Sequence, residues 1–170
     1  MQYIVTTFIC FFVLRLISLA VSIRNEKRLL KNGAKQYGKI NSLLLTLAHI
    51  FYYFGALYEA YIKGVDFNTL SMVGVMAFAY GMLFYVIYKL RDVWTVKLYI
   101  APNHRIERSF LFRSVRHPNY YLNIIPELIG VALLCNAWTT LCIGFPLYLC
   151  LLIVRIRQEE AAMKELWSIQ

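Results

Sequence analysis

The sequence predicts an all-α, polytopic membrane protein with about five transmembrane helices, the last two forming a helical hairpin. Three observations predict it. Of 170 residues, 60% are hydrophobic and only 9 are acidic, which is too little polar surface for a soluble domain of this length. The apolar residues are gathered into runs of about 20, the length a helix needs to cross a bilayer. The lysines and arginines are confined to the segments between those runs, almost all on one side.

The first run covers residues 3–22, the second 43–62 and the third 70–90. The stretch from Tyr120 to Val154 is too long for one span and is broken at Asn136-Ala137-Trp138. It divides into spans at 120–135 and 138–154, with Trp138 as an interfacial anchor. No linker, repeat or low-complexity segment intervenes, so residues 1–170 read as one integral membrane domain. All but two of the 18 lysines and arginines fall on the side of the first loop, the third loop and the C-terminal segment. The exceptions are Lys63, on the opposite side, and Arg15, inside the first run. The positive-inside rule then places the N-terminus outside and the C-terminus in the cytoplasm. Residues 1–22 lack a basic leading segment and contain Arg15, so they read as an uncleaved span rather than a signal peptide.

The net charge of +9 suits an anionic lipid leaflet. No nucleic-acid partner is expected, because the basic residues sit in short stretches beside apolar runs and no recognition motif accompanies them. Cys10, Cys135, Cys142 and Cys150 all lie within apolar runs and form no close pair, so they read as packed or lipid-facing thiols and no metal site is expected.

Ionisable groups in hydrocarbon cost about 2.5–3.5 kcal/mol each on insertion scales, so they turn toward the bundle interior or a wet cavity. Arg15, Ser18, Ser22 and Asn25 fall on one stripe of the first helix, and His49, Tyr52, Ala56 and Glu59 on one stripe of the second. Glu127 follows Pro126 in the fourth span. Two readings stand for these stripes: polar contacts between packed helices, or the lining of a functional cavity. Gly74 and Gly81 read as sites of close helix contact.

Chemistry concentrates in the third loop, Arg91 to Asn119, which is too polar for membrane and too long for a turn. It holds Asp92, Trp94, Asn103, His104 and Glu107, then runs Phe112-Arg113-Ser114-Val115-Arg116-His117-Pro118-Asn119-Tyr120 into the fourth span. Pro118 suits a first helical turn. Arg155-Ile156-Arg157-Gln158-Glu159-Glu160 emerges on the same membrane face after the hairpin. Together these segments predict a pocket of acids and bases at the mouth of a lipid-accessible cavity, suited to one polar and one lipophilic ligand.

Arg116-His117-Pro118-Asn119-Tyr120, followed after a hairpin by Arg155 and Glu159-Glu160, resembles the isoprenylcysteine carboxyl methyltransferase family, part of a wider group that includes phospholipid N-methyltransferases. The resemblance extends from about Trp94 to the C-terminus. Arg24-Asn25-Glu26-Lys27 and Asn123-Ile124-Ile125-Pro126-Glu127-Leu128 are similar to a small bacterial subgroup associated with type III polyketide synthases, whose members methylate alkylpyrone-type products. The resemblance implies S-adenosylmethionine as methyl donor and a bacterial inner membrane as the location. By motif, it implies that His117, Pro118 and Tyr120 line the donor site and that Glu159 and Glu160 accept hydrogen bonds from its ribose or amino group. It also implies that Arg155 holds an acceptor oxyanion or the donor carboxylate, with Asn119 and Glu127 in the wall between the two ligands.

Two departures bear on the acceptor. Phe110 and Phe112 fill the places of the family's usual glycine and tyrosine, and the C-terminus lacks the Phe-Gly-x-x-Tyr tail. Both favour a small lipid over a prenylated protein. A carboxylate or acidic enol is already ionised near neutral pH and needs only alignment for O-methylation. An amine or ordinary phenol would need a base, for which His117 and Glu127 are the candidates. The alternatives are an amine-methylating lipid enzyme, a nicotinamide-dependent membrane reductase, and a non-catalytic scaffold.

Overall fold

The computed structural model describes residues 2–64, 70–100 and 110–167. The elements in chain order are α1 (Gln2–Lys31), β1 (Lys35–Tyr37), α2 (Lys39–Lys63), α3 (Leu70–Leu90), β2 (Leu98–Ile100), α4 (Phe110–Ser114), α5 (Ile125–Leu134) and α6 (Phe145–Trp167). Among the described residues, four helices are long and apolar enough to cross a membrane: Val5–Lys31, Lys39–Lys63, Met72–Val93 and Thr140–Lys164. Asn119–Leu134 forms a fifth, shorter apolar helix. This is the polytopic helical fold that the apolar runs predict.

The burial is inside-out, as a bilayer solvent demands. Phe51, Phe54 and Leu147 are 71%, 63% and 64% exposed, whereas Ser18, Ser22 and Asn25 are buried. The polar stripe of α1 therefore faces the bundle. Its 30 residues, at about 1.5 Å each, outrun the roughly 30 Å hydrocarbon core, so its basic end projects beyond it. α1 stops in a Schellman turn. Gly33 adopts φ 78°, Ala34 N–H donates to Leu29 O at 3.0 Å and Gly33 N–H to Leu30 O at 3.1 Å. Leu29 and Ala34 close the turn with an apolar contact against Tyr99.

The same device makes the hairpin between α5 and the last helix. Asn136 takes φ 51°, Ala137 N–H donates to Ala132 O and Asn136 N–H to Leu133 O. The helix that follows begins after Ala137, which has no side chain to cap it. Glu59 of α2 does so instead, accepting from Thr139 N–H at 2.9 Å, Thr140 N–H at 2.9 Å and Thr140 Oγ1 at 3.0 Å. Thus Glu59 bridges α2 to the hairpin, and Lys63 pairs with it at 2.5 Å.

Both helices of the hairpin open with a π-helical turn, Asn119–Ile124 before Pro126 and Thr140–Gly144 before Pro146. A proline cannot donate to the fourth residue back, and its ring crowds that carbonyl. Widening the preceding turn relieves both. Ile125 N–H accordingly donates to Tyr120 O, and Phe145 N–H to Thr140 O.

The close helix contacts are not where the sequence suggested. A Cβ on Gly74 or Gly81 would meet nothing within 4 Å among the described residues, so neither glycine marks a contact there. Gly130 does: a Cβ there would lie 2.8 Å from Met76 Sδ, and one on Gly144 3.1 Å from the Tyr52 ring. Spacing along one helix cannot say which glycine meets a neighbour; only the partner's bulk decides it.

A buried polar cluster ties four helices together midway along the bundle. Glu127 of α5, fully buried, lies 3.3 Å from Arg15 Nη1 of α1 and 3.6 Å from His49 Nε2 of α2. Its Oε1 accepts from Tyr53 OH at 2.5 Å and Tyr80 OH at 3.0 Å. Asn123 Nδ2 reaches Oε2 at 3.4 Å and also donates to Ala79 O. The ring of His49 stacks on Tyr53 and meets Tyr148 edge-on.

Candidate active site

On the face that carries the basic loops, a cavity of about 820 Å³ opens between the end of α3, the segment after it, α4 and the end of α6. Its walls are set by a chain of contacts that begins on α1. Asn25 Nδ2 donates to Arg91 O and Trp94 O, both at 2.8 Å. Arg91 sits at φ 47°, an uncommon conformation for a side chain of this size, and the hydrogen bond to its carbonyl helps hold it. Ser22 Oγ accepts from Val96 N–H at 2.9 Å, and Lys97 pairs with Glu26 at 2.8 Å. Then β2 pairs antiparallel with β1, in the register Lys35↔Ile100, Gln36↔Tyr99 and Tyr37↔Leu98. The third loop is thereby fixed to the first.

Arg155 of α6, only 2% exposed, completes the frame. Its Nη1 donates to Ser42 Oγ at 2.9 Å and its Nη2 to Val96 O at 3.0 Å. Arg155 lines the cavity while two of its donors are committed to holding α2 and the Trp94–Lys97 segment in place.

The polar side of the cavity is built from the start of the α5 helix and from α6. Tyr120 N–H and Tyr121 N–H both donate to His117 O, so Pro118 lies in the first turn. That turn stacks the His117 ring on Tyr120 at 5.7 Å. Tyr120 OH donates to Glu159 Oε2 at 2.7 Å, while His117 Nδ1 lies 3.6 Å from Glu159 and Nε2 3.6 Å from Glu160. The Asn119 Oδ1 and the Trp94 Nε1 are buried without a hydrogen-bond partner among the described residues, and the ring nitrogens of His117 have only the two carboxylates at 3.6 Å. Unpartnered polar atoms on residues that line one cavity suit a ligand's donors and acceptors. Val86, Leu90 and Phe112 add apolar lining.

Of the sequence-predicted site residues, His117, Pro118, Asn119, Tyr120, Arg155, Glu159 and Glu160 all line this cavity. Glu127 is not among the lining residues and belongs to the Arg15 cluster, seven residues or about 10 Å further along the helix from Tyr120. Trp94 and Lys97 are lining residues that motif spacing did not single out. Asn103, His104, Arg105, Glu107 and Arg108 lie outside the described residues.

The family model for isoprenylcysteine carboxyl methyltransferases matches residues 72–165, which include these cavity-lining residues. The chain belongs to the isoprenylcysteine carboxyl methyltransferase family. The family is one of membrane methyltransferases, and membership supports that class of activity here. An uncharacterized protein of Haemophilus influenzae is 54% identical over 169 residues, covering 98% of both chains. The uncharacterized protein YpbQ of Bacillus subtilis is 25% identical over 155 residues, covering 90% of this chain and 92% of its own. No solved structure matches the chain. The family match begins at α3, so the residues that brace the site from α1 and α2, namely Ser22, Asn25 and Ser42, come from outside it.

The electrostatics of His117 follow from its neighbours. The Glu159 carboxylate beside Nδ1 raises its pKa above the ordinary value, Glu160 adds to this, and partial burial opposes it. A raised pKa means that the cation is favoured in the folded protein. The stabilisation is fully present below the unfolded value of about 6.5 and is lost as pH rises through the higher folded value. The stability advantage of wild type over His117→Gln, read by thermal unfolding in detergent, is therefore expected to be greatest below that pH and to shrink above it. An advantage that grows with pH would reverse the assignment.

Proposed function

We propose that this protein is an S-adenosylmethionine-dependent methyltransferase of the bacterial inner membrane that O-methylates a small lipophilic acceptor, a carboxylate or acidic enol such as an alkylpyrone. In this reading the N-terminus lies outside, and the cavity and C-terminus face the cytoplasm. The observation that carries it is the cavity itself, where orphaned polar atoms and two carboxylates face an apolar lining in one space. Its volume is within the range of about 300–1,000 Å³ usual for small-molecule sites.

Bound S-adenosylmethionine supplies a methyl group on a positively charged sulfur, which is already activated for in-line displacement. The residues then have three tasks. Glu159, held by Tyr120, and Glu160 accept hydrogen bonds from the donor's hydroxyl or amino groups and place its cationic portion against negative charge. His117, Pro118 and Asn119 form the wall behind it. Arg155, fixed by Ser42 and Val96, presents positive charge to the acceptor's oxyanion, while Val86, Leu90 and Phe112 receive its apolar part.

The arrangement favours an acceptor that is already ionised. His117 is engaged by Glu159 and Glu160, each 3.6 Å from a ring nitrogen, and Glu127 is paired with Arg15 and is not among the lining residues. Alignment and exclusion of water remain as the catalytic contributions, worth up to about 7–11 kcal/mol in well-oriented systems. These engagements are why we propose O-methylation rather than amine methylation.

The test is calorimetry of S-adenosylmethionine with the detergent-purified protein, followed by transfer of labelled methyl groups to long-chain carboxylates, alkylpyrones and amines. Micromolar donor binding with methylation of the ionised acceptors is the expected result. Well-folded protein that binds no donor in the presence of lipid would sink the proposal, and methylation confined to amines would replace its acceptor.

A further inference from the structure

Trp94 is given no contact with either ligand in the reading above, yet the fold holds it with unusual care. Its side chain is only 3% exposed and lines the cavity, and its Nε1–H has no hydrogen-bond partner among the described residues. Buried indole N–H groups ordinarily find an acceptor. Trp138 shows the contrast: although more than half exposed, it donates to Asn136 Oδ1 at 2.8 Å.

The backbone around Trp94 is pinned from three directions. Asn25 Nδ2 binds the carbonyls of Arg91 and Trp94, Trp94 N–H donates to Arg91 O, and Ser22 Oγ takes Val96 N–H two residues on. The left-handed backbone at Arg91 is what turns the chain here. A segment restrained this way keeps its ring in one place, and the ring's single donor is left for something else. Glu159 and Glu160, which line the same cavity, can only accept. A ligand that satisfies both must carry donors for the carboxylates and an acceptor for the indole. The methyl donor has both along its length, whereas a lipophilic acceptor has one polar head.

We infer that Trp94 is a binding residue for the methyl donor, its indole N–H donating to an oxygen or ring nitrogen of the bound molecule, and that Asn25 of α1 positions it. The inference rests on the donor-site reading and adds a contact that the His117-to-Tyr120 and Glu159-Glu160 motifs do not contain. It also gives the first helix, outside the family match, a role in donor recognition.

The chain has three tryptophans, so indole-¹⁵N labelling gives a spectrum simple enough to assign by Trp94→Phe. On saturation with S-adenosylhomocysteine, the Trp94 indole proton is expected to move downfield and exchange more slowly, while that of Trp138 stays in place. By calorimetry Trp94→Phe, which keeps an aromatic ring but loses the pyrrole half and its N–H, is expected to bind about tenfold more weakly, the usual scale for one lost hydrogen bond. Asn25→Asp, which removes the amide donor, is expected to weaken binding in the wild-type background and to cost nothing further in Trp94→Phe. A residue with only a structural role would not show that dependence. An unmoved Trp94 resonance in the saturated protein, or undiminished affinity of Trp94→Phe, overturns the inference and leaves the donor site standing. Failure of the wild type to bind S-adenosylhomocysteine at all overturns the donor-site reading and takes this inference with it.

Discussion

Replacing Arg15 with alanine is expected to lower stability by about 3–5 kcal/mol, the scale on which one partner of a buried ion pair is missed. For a chain of this size that corresponds to a fall of roughly 6–20 °C in the thermal midpoint. The reason lies in what is left behind. Glu127 is fully buried, and Arg15, 3.3 Å away, is its only permanently cationic neighbour among the described residues; His49, at 3.6 Å, contributes charge only when protonated. The hydroxyls of Tyr53 and Tyr80 and the amide of Asn123 remain, but they cannot cancel a charge. Adding Glu127→Gln removes the charge and keeps an acceptor for both tyrosines, so Arg15→Ala/Glu127→Gln is expected to recover much of the loss. Thermal unfolding of the two variants in one detergent decides it. If the double variant is no better than Arg15→Ala, the cluster's contribution is shape and hydrogen bonding rather than charge neutralisation.

That cluster shows how much could be read from the chain. A 3-4-3 spacing put Arg15, Ser18, Ser22 and Asn25 on one face of α1, and hydrocarbon on the other side turned that face inward. The same logic found the His49-to-Glu59 stripe. Periodicity says which way a side chain points and not what meets it. The family motif marks Glu127 for the wall between the ligands, and the fold sets it two helical turns from Tyr120, in the Arg15 cluster. Arg155 was read as a ligand group, and the fold also uses it as a brace between Ser42 and Val96. The β1–β2 ladder, with three residues in each strand, is shorter than any alternation that could announce it. Trp94 is visible in the polar loop, but nothing local distinguishes a tryptophan that anchors an interface from one that is buried in a cavity wall. What sequence could reach was whatever local geometry or a contiguous motif determines; what it missed depends on partners 59 to 113 residues apart, as in the two hydrogen bonds of Arg155.

Glu159→Gln is expected to weaken donor binding about tenfold to a hundredfold, the range for losing hydrogen bonds to a charged group. The substitution keeps the side chain's shape and an acceptor for Tyr120 OH, so the loss reports charge rather than collapse. Tyr120→Phe releases the carboxylate without neutralising it and should cost less. Glu160→Ala should also cost less than Glu159→Gln, because Glu160 is the more exposed of the two, at 45% against 31% of its side chain. The ranking separates a pinned, partly shielded carboxylate from one that solvent screens. A second reading comes from the same variant. Glu159 is the largest cause of the raised His117 pKa, so Glu159→Gln should return that pKa toward its ordinary value and narrow the pH range over which His117 favours the folded state. If binding falls but the His117 titration does not move, Glu159 contacts the donor and is not the group that charges the histidine. If the titration moves and binding is unchanged, the pair is a structural contact at the rim, and the donor must be held by Glu160 instead.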